Sequence, residues 1–286
     1  MNPRPEVLVV DGTALLFRSY FGGVSVKAPD GTEVGAVMLS CNKLSQLVSR
    51  YRSTHVVVVF DAGQRTFRNE IDPRYKANRG DPPPDLIPQF DLIQEASIAL
   101  GFCTLSLPGY EADDLMATLA RLCREEQLAC RLVTVDKDVS QSVFDGPPAI
   151  VQQDPYKDRF WDEAGVEEKF GVRPDQIIDY LALVGDTSDN IPGVPKCGPK
   201  TAAKWLRQFE TLDRVIEHAE DVKGKVGENL RASLDTLPLS YQLATIKLDV
   251  GKGFYVRSFA RDLGEKLRSR AHLAGLRRTR VGPFSI

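Results

Sequence analysis

The sequence has few of the residues that mark secreted, membrane-spanning or zinc-binding proteins. Its 286 residues include five cysteines, with no C-x-x-C pair, and three histidines, with no H-x-x-x-H spacing. Scattered cysteines are typical of a compartment that keeps thiols reduced. No apolar run approaches the roughly 18 residues of a membrane span, and the first ten residues lack the basic start of a signal peptide. These absences predict a cytoplasmic protein with no membrane partner and no zinc site.

An overall excess of one charge is also missing, since 37 basic and 39 acidic residues give a net charge of −2. The two signs are nevertheless segregated along the chain. Residues 257–286 carry eight basic and two acidic side chains, and residues 65–81 and 196–214 also have a basic excess. Basic segments suit a polyanion such as nucleic acid, although a charge run often forms no more than a solvated surface.

Three short Val-rich runs predict buried parallel strands, and an aspartate follows or ends each run. The runs are residues 6–10, 55–60 and 131–135, followed by Asp11, Asp61 and Asp136. Helical patterns at 34–52 and 112–125 separate them. This alternation predicts an α/β fold with a mostly parallel sheet flanked by helices, and a ligand site at the carboxyl ends of the strands.

The second part of the chain has a different pattern. After residue 171 the alternation gives way to helical signals at 174–184, 201–209, 212–218 and 240–248. Residues 185–200, rich in Gly and Pro, predict a constrained loop between two of these helices. Residues 62–84 are polar, basic and broken by three prolines, and such a long connection is typically functional or mobile.

Nine carboxylates occupy positions where the predicted sheet would form a cleft. Each acid alone is explained as a helix cap or a strand terminus, but together they would repel, because two carboxylates about 4 Å apart cost roughly 4 kcal/mol. Oxygen ligands without histidine or cysteine favour Mg²⁺ or Mn²⁺, with two or more ions. The nine residues are Asp11, Asp61, Glu111, Asp113, Asp114, Asp136, Asp138, Asp186 and Asp189.

Seven strings carry a resemblance to a known family. They are VVDGTALLFRSYF (9–21), VVFDAGQRTFRNE (58–70), RYKANR (74–79), GYEADDLMATLA (109–120), TVDKDVSQSV (134–143), LALVGDTSDNIPGVP (181–195) and LSYQLATIKLDV (239–250). In this order they resemble the bacterial and phage 5′-nucleases, which include the 5′–3′ exonuclease domain of DNA polymerase I and are related to flap endonucleases. The chain lacks the several hundred further residues of the polymerase, so a stand-alone nuclease is expected.

The resemblance implies a domain organisation. Residues 1–172 would form a PIN-like catalytic domain with a helical arch at about 62–98 over the active site. Residues 173–256 would form a helical DNA-binding domain of the helix-hairpin-helix (H3TH) type. The basic tail, 257–286, matches no part of the family pattern and is either extra duplex-binding surface or disordered.

The resemblance also implies residue roles in the catalytic domain. Asp11, Asp61 and Asp113 would hold the first metal ion with support from Glu111, and Asp136, Asp138, Asp186 and Asp189 would hold the second, with Asp114 between them. Lys76 and Arg79 would contact the scissile phosphate, Arg68 would be an auxiliary contact, and the Tyr75 ring would stack on a terminal base. Arg18 matches a basic position near the cleft.

In the H3TH domain, the matching positions would grip duplex phosphates through backbone amides, often with a bound K⁺. These positions are Gly193, Gly198, Lys200 and Thr201. Cys197 and Pro199 depart from the family pattern, which has an aliphatic and usually an acidic residue there. Proline is well tolerated in a first helical turn, so the hairpin is expected to form, while the departures weaken the case for K⁺.

The function implied is a metal-dependent 5′-nuclease that acts on 5′ ends, nicks and 5′ flaps in DNA replication and repair. A monomer located with the nucleoid of a bacterium or in a phage-infected cell is expected, with a DNA polymerase or a clamp as protein partner and RNA primers as a further substrate. Two alternatives stay open: a PIN-class ribonuclease, which would not need the arch or the hairpin, and a non-catalytic junction-binding protein, which would not need the acids.

Overall fold

A six-stranded sheet forms the centre of the fold. The protein is described by a computed structural model that covers residues 6–53, 55–246, 280–281 and 284–285. The strands are β1 Glu6–Asp11, β2 His55–Phe60, β3 Cys103–Ser106, β4 Ala129–Val133, β5 Ile150–Gln153 and β6 Phe160–Trp161. Their spatial order is β3-β2-β1-β4-β5-β6, with β6 antiparallel to β5 and all other neighbours parallel. The predicted mostly parallel sheet is confirmed.

The predicted Val-rich strands form the middle of this sheet, where both faces are covered. Val9 of β1 pairs with Val57 of β2 and with Leu132 of β4, and all three side chains are buried. β4 lies two residues before its predicted range, so Thr134 and the residues after it form the connection that follows. The sequence analysis missed β3, β5 and β6, because they are only two to four residues long and carry no apolar run.

Helices cover both faces of the sheet, as the alternating pattern predicts. Leu16, Leu44 and Ile93 come from three helices and pack on one face, while Leu115 and Leu119 of another helix pack on the opposite face. Up to residue 171 the structure describes the helices α1 Gly12–Gly22, α2 Gly35–Tyr51, α3 Phe67–Ile71, α4 Ile87–Ala99, α5 Ala112–Glu125 and α6 Glu163–Phe170.

The region predicted to form the arch, 62–98, consists of short elements. It contains α3, a turn around residues 73–78, and most of α4. α4 packs against the rest of the domain, since Phe90 contacts Phe17 of α1 edge to face at 5.5 Å between ring centroids. The turn lies against the loop that follows residue 185, as described below. An arch that admits a single strand stays a prediction.

The second half of the chain is helical. The helices are α7 Ile177–Val184, α8 Pro199–Phe209, α9 Leu212–Glu217, α10 Gly224–Ala232 and α11 Leu237–Ala244. α10 was not predicted. Leu183, Leu206 and Leu230 lie at the centre of their shared core, and Tyr75 and Trp161 from the first 172 residues belong to the same core. The two predicted domains are therefore packed together, and their boundary at 172 stays a prediction.

The basic tail falls almost entirely outside the described residues. Its described part is a short antiparallel pair, β7 Arg280–Val281 and β8 Phe284–Ser285. The predicted helix at 240–248 is found as α11 up to Ala244, and its last two residues lie outside the described range. Among the helices that the structure describes, none is both long and apolar enough to cross a membrane.

A buried carboxylate in this helical half leads to a prediction about stability and pH. Asp179 of α7 accepts a hydrogen bond from the Leu212 backbone N–H at 3.1 Å, at the start of α9. Burial raises the pKa of Asp179 to about 6, and the charges of Asp213 and Asp175 add to the effect. Because this pKa is raised, the protonated carboxyl stabilises the fold at low pH, and the contribution is lost as the pH rises through 6.

Asp179→Asn removes this loss, since the amide oxygen still accepts the Leu212 N–H and carries no charge. We expect the variant to be more stable than the wild type by about 1–2 kcal/mol at pH 8, with no gain at pH 4. Urea unfolding at the two pH values measures the difference. Glu217→Gln, a change at an exposed acid on α9, is the control. A gain of equal size at both pH values would contradict the prediction.

Candidate active site

The aspartates that follow the central strands lie at one edge of the sheet. Asp11 ends β1 and also caps α1, because its Oδ1 accepts the Ala14 N–H at 2.8 Å. Asp61 follows β2, and its Oδ1 accepts the Ala112 N–H at 2.7 Å, at the start of α5. Asp136 follows β4. Parallel strands bring these carboxyl ends together, as the sequence predicts.

Four acids form a first group at this edge: Asp11 and Glu111 are buried, and Asp61 and Asp113 are partly buried. Burial, together with the nearby charges of Asp61 and Asp136, raises the pKa of Asp11 to about 7. Burial also raises the pKa of Asp61 and, with repulsion from Asp114 and Glu111, that of Asp113. These shifts mean that the negative charges repel one another in a place with little water.

A second group joins the loop after β4 to the loop after α7. It contains Asp136, Asp138, Asp186 and Asp189. Burial and the charge of Asp136 raise the pKa of Asp138 to about 8, and Asp189 and Asp186 contribute to the same shift. Asp186 accepts hydrogen bonds from the backbone N–H and the hydroxyl of Ser188 at 2.7 and 2.5 Å. Asp136 and Asp138 are thus neighbours of Asp186 and Asp189, although more than 40 residues separate the two pairs in the sequence.

Three cations lie among these carboxylates. Lys76 Nζ is 2.6 Å from Glu111 Oε1 and 3.7 Å from Asp189 Oδ2. Arg79 forms an ion pair with Asp189, and Lys137 forms one with Asp186. The sequence analysis did not assign a role to Lys137, although its position between the two acids of the Asp136-Lys-Asp138 string was a usable signal.

These cations offset the charge of the acids that they touch. Burial alone would raise the pKa of Glu111, but Lys76 and Arg68 hold it below its usual value. The pKa of Asp186 is likewise lowered by Lys137 and by the Ser188 hydrogen bonds, against the effect of burial. Some acids of the cluster are therefore ionised and paired with a cation. Others form no such ion pair within the described residues.

The R-Y-K-x-N-R string lies directly against the loop of the second acidic group. The Lys76 backbone N–H donates to the Asp189 carbonyl at 3.0 Å. The side-chain amide of Asn78 donates to the Thr187 carbonyl at 2.7 Å, and that of Asn190 donates to the Arg74 carbonyl at 2.8 Å. These bonds position Lys76 and Arg79 beside the carboxylates, as expected of residues that contact a phosphate there.

Arg68 lies in a different place from the one predicted for an auxiliary phosphate contact. Its side chain is 1% exposed, and its guanidinium binds both carboxylate oxygens of Asp114 at 2.7 and 2.8 Å. It also donates to the backbone carbonyls of Leu243 and Thr245 at 3.0 and 2.9 Å. Arg68 is thus enclosed between α5 and the end of α11, where a DNA phosphate has no access.

Asp114 is correspondingly enclosed. Its side chain is fully buried, and besides binding Arg68 it accepts the Glu111 backbone N–H at 3.0 Å. Both of its oxygens are used in these bonds, which fix the first turn of α5 and so position Glu111 and Asp113. In this structure Asp114 supports the acidic groups through these bonds, and its role as a metal ligand between them stays a prediction.

Tyr75 also differs from its predicted role. The ring is 3% exposed and belongs to the hydrophobic core, and its hydroxyl donates to Glu111 Oε2 at 2.9 Å. A ring in this position has no face on which a terminal base could stack. The sequence did not show that Tyr75, which lies within a basic string, would be surrounded by hydrophobic residues.

The donor set of the two acidic groups fits divalent cations of the magnesium type. One oxygen of Asp113 and one of Asp138 are buried without a hydrogen-bond partner, and such oxygens need a cation or a proton. Within the part of the chain that the structure describes, no three acidic, histidine or cysteine side chains are close enough to complete an ion site. The side chains would have to move for full coordination, and the ligand set stays a prediction.

The predicted hairpin joins α7 to α8 next to the second acidic group. Gly193 lies so close to the preceding turn that a Cβ would come within 2.5 Å of the Val184 carbonyl, which explains the need for glycine. Gly198 caps α8, Pro199 occupies its first turn, and the Thr201 N–H donates to the Gly198 carbonyl at 2.9 Å. Cys197 is buried below this turn. The hairpin therefore accommodates both departures from the family pattern.

The remaining predicted residues are cationic positions on the surface. Lys200 is exposed on the first turn of α8. Arg18 is exposed on α1, about two turns after Asp11, and its guanidinium lies 5.6 Å from the centroid of the Tyr156 ring. A role for either residue in DNA binding stays a prediction.

Comparison with known families and proteins gives consistent matches along the chain. Residues 6–171 match the model of the 5′–3′ exonuclease N-terminal resolvase-like domain, and residues 172–265 match that of the 5′–3′ exonuclease C-terminal SAM fold. DNA polymerase I of Rhizobium leguminosarum is 38% identical over 259 residues, covering 87% of this chain and 25% of that protein. DNA polymerase I of Bacillus subtilis is 36% identical over 251 residues, covering 87% and 28%.

The chain thus spans about a quarter of the length of the curated relatives it matches. Among solved structures, a bacteriophage T5 flap endonuclease in a complex with DNA and metal ions has a TM-score of 0.74 and 24% identity, covering 92% of this chain and 100% of that one. The catalytic core of Rad2 in complex with DNA substrate has a TM-score of 0.54 and 16% identity, covering 92% and 88%. These likenesses show a shared fold.

Proposed function

Because the chain belongs to the 5′–3′ exonuclease family, we propose that it is a structure-specific 5′-nuclease that hydrolyses DNA phosphodiesters with divalent metal ions. One observation carries the proposal: two groups of carboxylates, most of them buried or partly buried and with unpartnered oxygens on Asp113 and Asp138, lie beside Lys76 and Arg79 and next to the hairpin. Its substrates are 5′ ends, nicks and 5′ flaps of DNA, with RNA primers as further candidates.

The two acidic groups would hold the ions. Asp11, Asp61 and Asp113, with Glu111, would bind the first, and Asp136, Asp138, Asp186 and Asp189 the second. When bound, Mg²⁺ or Mn²⁺ would supply an activated water and stabilise the leaving oxygen of the phosphodiester. The protein contributes fixed positions for these oxygens, because hydrogen bonds from Ala14, Ala112 and Ser188 orient Asp11, Asp61 and Asp186.

The cations and the hairpin would handle the DNA. Lys76 and Arg79 carry positive charge at the acidic groups and would balance the charge that develops on the scissile phosphate. The first turn of α8, with the exposed Lys200 and the Thr201 side chain, would contact duplex phosphates without sequence readout. A K⁺ ion in the hairpin would support this contact. The protein would act as a monomer in the cytoplasm of a bacterium, with a polymerase or a clamp as partner.

The central test uses 5′-labelled flap, nicked and blunt DNA incubated with Mg²⁺, with matched RNA strands as a further arm. We expect the wild type to cut near the flap junction and the Asp186→Ala variant to bind the flap while it loses at least about 10²-fold in cleavage rate. The exposed Asp175→Asn variant is the control and should cut normally. Wild-type protein that leaves every DNA uncut would refute the nuclease function, and full activity of Asp186→Ala would remove this acid from the site.

A second prediction separates catalysis by Lys76 from binding. Lys76→Ala should slow cutting by about 10²-fold and leave duplex affinity within about threefold, because the ammonium is enclosed among the carboxylates of Glu111 and Asp189. Single-turnover cleavage and fluorescence anisotropy measure the two quantities. The matched control is Arg74→Ala, a neighbouring cation that is exposed and paired with Asp72. An equal loss in rate and affinity would make Lys76 a docking residue.

A further inference from the structure

Two cations that the predicted site does not include lie on one tryptophan. Trp161 ends β6, and its ring is buried against the core of the helical half. The guanidinium carbon of Arg159 is 5.3 Å from the ring centroid, and the ammonium of Lys169 on α6 is 4.2 Å from it. Lys169 Nζ is also 4.7 Å from the centroid of Phe170. Cation–π contacts of this kind fix where an exposed cation stays.

The charges of the second acidic group act on this pair. Partial burial lowers the pKa of Lys169, and the positive charges of Arg159 and Lys137 also lower it, while Asp136 and Asp154 act in the opposite direction. Lys169 is therefore within electrostatic range of Asp136 and Lys137. Arg159, next to β6, and Lys169, on α6, form a cationic border to the acidic cluster.

The cations inside the cluster and those at its border differ in their partners. Arg68, Lys76, Arg79 and Lys137 all pair with carboxylates within 4 Å. Within the described ranges neither Arg159 nor Lys169 forms such an ion pair, and both residues are exposed. Two like charges held against one ring repel each other, so a bound anion would be favoured.

Hydrogen bonds fix the backbone at Arg159, and a specific phosphate-binding site needs a fixed backbone. The Arg159 carbonyl accepts the side-chain amide of Gln153 at 2.8 Å and the Asp154 N–H at 2.9 Å. Trp161 then holds both side chains against one ring. The arrangement is a rigid base carrying two charged groups that face solvent.

We propose that Arg159 and Lys169 together bind a backbone phosphate of the DNA that enters the acidic cluster past Asp136. The inference rests on the proposed nuclease function and adds a contact outside the hairpin and the R-Y-K-x-N-R turn. DNA is the partner with the complementary chemistry, because a phosphate matches the Arg fork and the Lys point charge. Such a contact positions the strand and carries no sequence preference.

The test is the salt dependence of DNA binding, measured in EDTA so that cleavage does not compete. Fluorescence anisotropy with a labelled flap DNA gives the slope of log affinity against log salt for the wild type, Lys169→Gln and the Arg159→Gln/Lys169→Gln double variant. Loss of one phosphate contact should reduce the slope by about 0.7–0.9 and weaken binding at 0.1 M salt several-fold. Lys169→Arg, which keeps the charge, should retain most of the wild-type slope.

Control measurements distinguish the loss of this contact from a loss of folding and from a loss of the nuclease function. Arg121→Gln, on α5 in an exposed pair with Glu125, should keep the wild-type slope. All variants should unfold at the wild-type temperature. An unchanged slope for the double variant on the flap, on a nicked duplex and on a single strand would overturn the inference, while wild-type cleavage would leave the nuclease function standing. Wild-type protein that binds no DNA would refute both.

Discussion

Replacing Asp113 by asparagine should abolish cleavage and at the same time make the metal-free protein harder to unfold. The side chain is partly buried, one of its oxygens is buried without a hydrogen-bond partner, and Asp114 and Glu111 both repel it. Asparagine has nearly the same shape but no charge, so the folded state no longer brings the negative charges of Glu111, Asp113 and Asp114 close together. We expect a gain of about 1–3 kcal/mol in EDTA and a loss of at least about 10³-fold in cleavage rate with Mg²⁺.

Urea unfolding in EDTA and single-turnover cleavage of a 5′ flap measure the two effects. Added Mg²⁺ should raise the unfolding temperature of the wild type more than that of Asp113→Asn, because an ion that binds only the folded state stabilises it. Asp114→Asn is the matched control: the same chemical change one residue away should destabilise the protein, since it removes the partner of Arg68. A loss of stability in Asp113→Asn would contradict the proposed strain in the first acidic group.

Arg68→Met should have the largest effect on stability in this half of the molecule, at about 3–5 kcal/mol. The methionine fills much of the same space, but it leaves the fully buried Asp114 without its cation and frees the carbonyls of Leu243 and Thr245. The variant would therefore lose the connection that holds the end of α11 to α3 and α5. Chemical denaturation at neutral pH measures the loss.

The double variant Arg68→Met/Asp114→Leu separates the two causes. Because both charges are then absent, we expect it to recover much of the stability that Arg68→Met loses, as buried ion pairs replaced by apolar residues often do. Arg121→Met, which breaks the exposed pair with Glu125, should cost less than about 1 kcal/mol. A similar small cost at Arg68 would show that its bonds contribute little to stability.

These expectations change how the basic motif after β2 is interpreted. In the sequence, Arg68, Tyr75, Lys76 and Arg79 form one cationic stretch with a single predicted task. In the structure the stretch divides: Arg68 and Tyr75 face the core and support Glu111 and Asp114, while Lys76 and Arg79 face the carboxylates. A substitution at any of the four would impair cleavage, but for different reasons, and the stability measurements distinguish them.

The sequence by itself determined the sheet, its helical cover and the edge where the acids meet. Val-rich runs followed by aspartate predict central parallel strands, and parallel strands place their carboxyl ends together, so Asp11, Asp61 and Asp136 were expected at one edge. The glycines and prolines of residues 185–200 predicted a constrained loop, and the resemblance to the 5′-nucleases implied that it forms a hairpin. The short strands β3, β5 and β6 escaped because two to four residues carry no periodicity.

Only the tertiary structure decided which charges pair and which stay unpartnered. The bonds between the R-Y-K-x-N-R turn and residues 187–190 join segments more than 100 positions apart, and no local pattern encodes such a contact. Through it Tyr75 is turned into the core, whereas Lys76 next to it reaches Glu111. Side-chain direction in an irregular turn depends on what the turn packs against, and that is fixed only when the two halves of the chain come together.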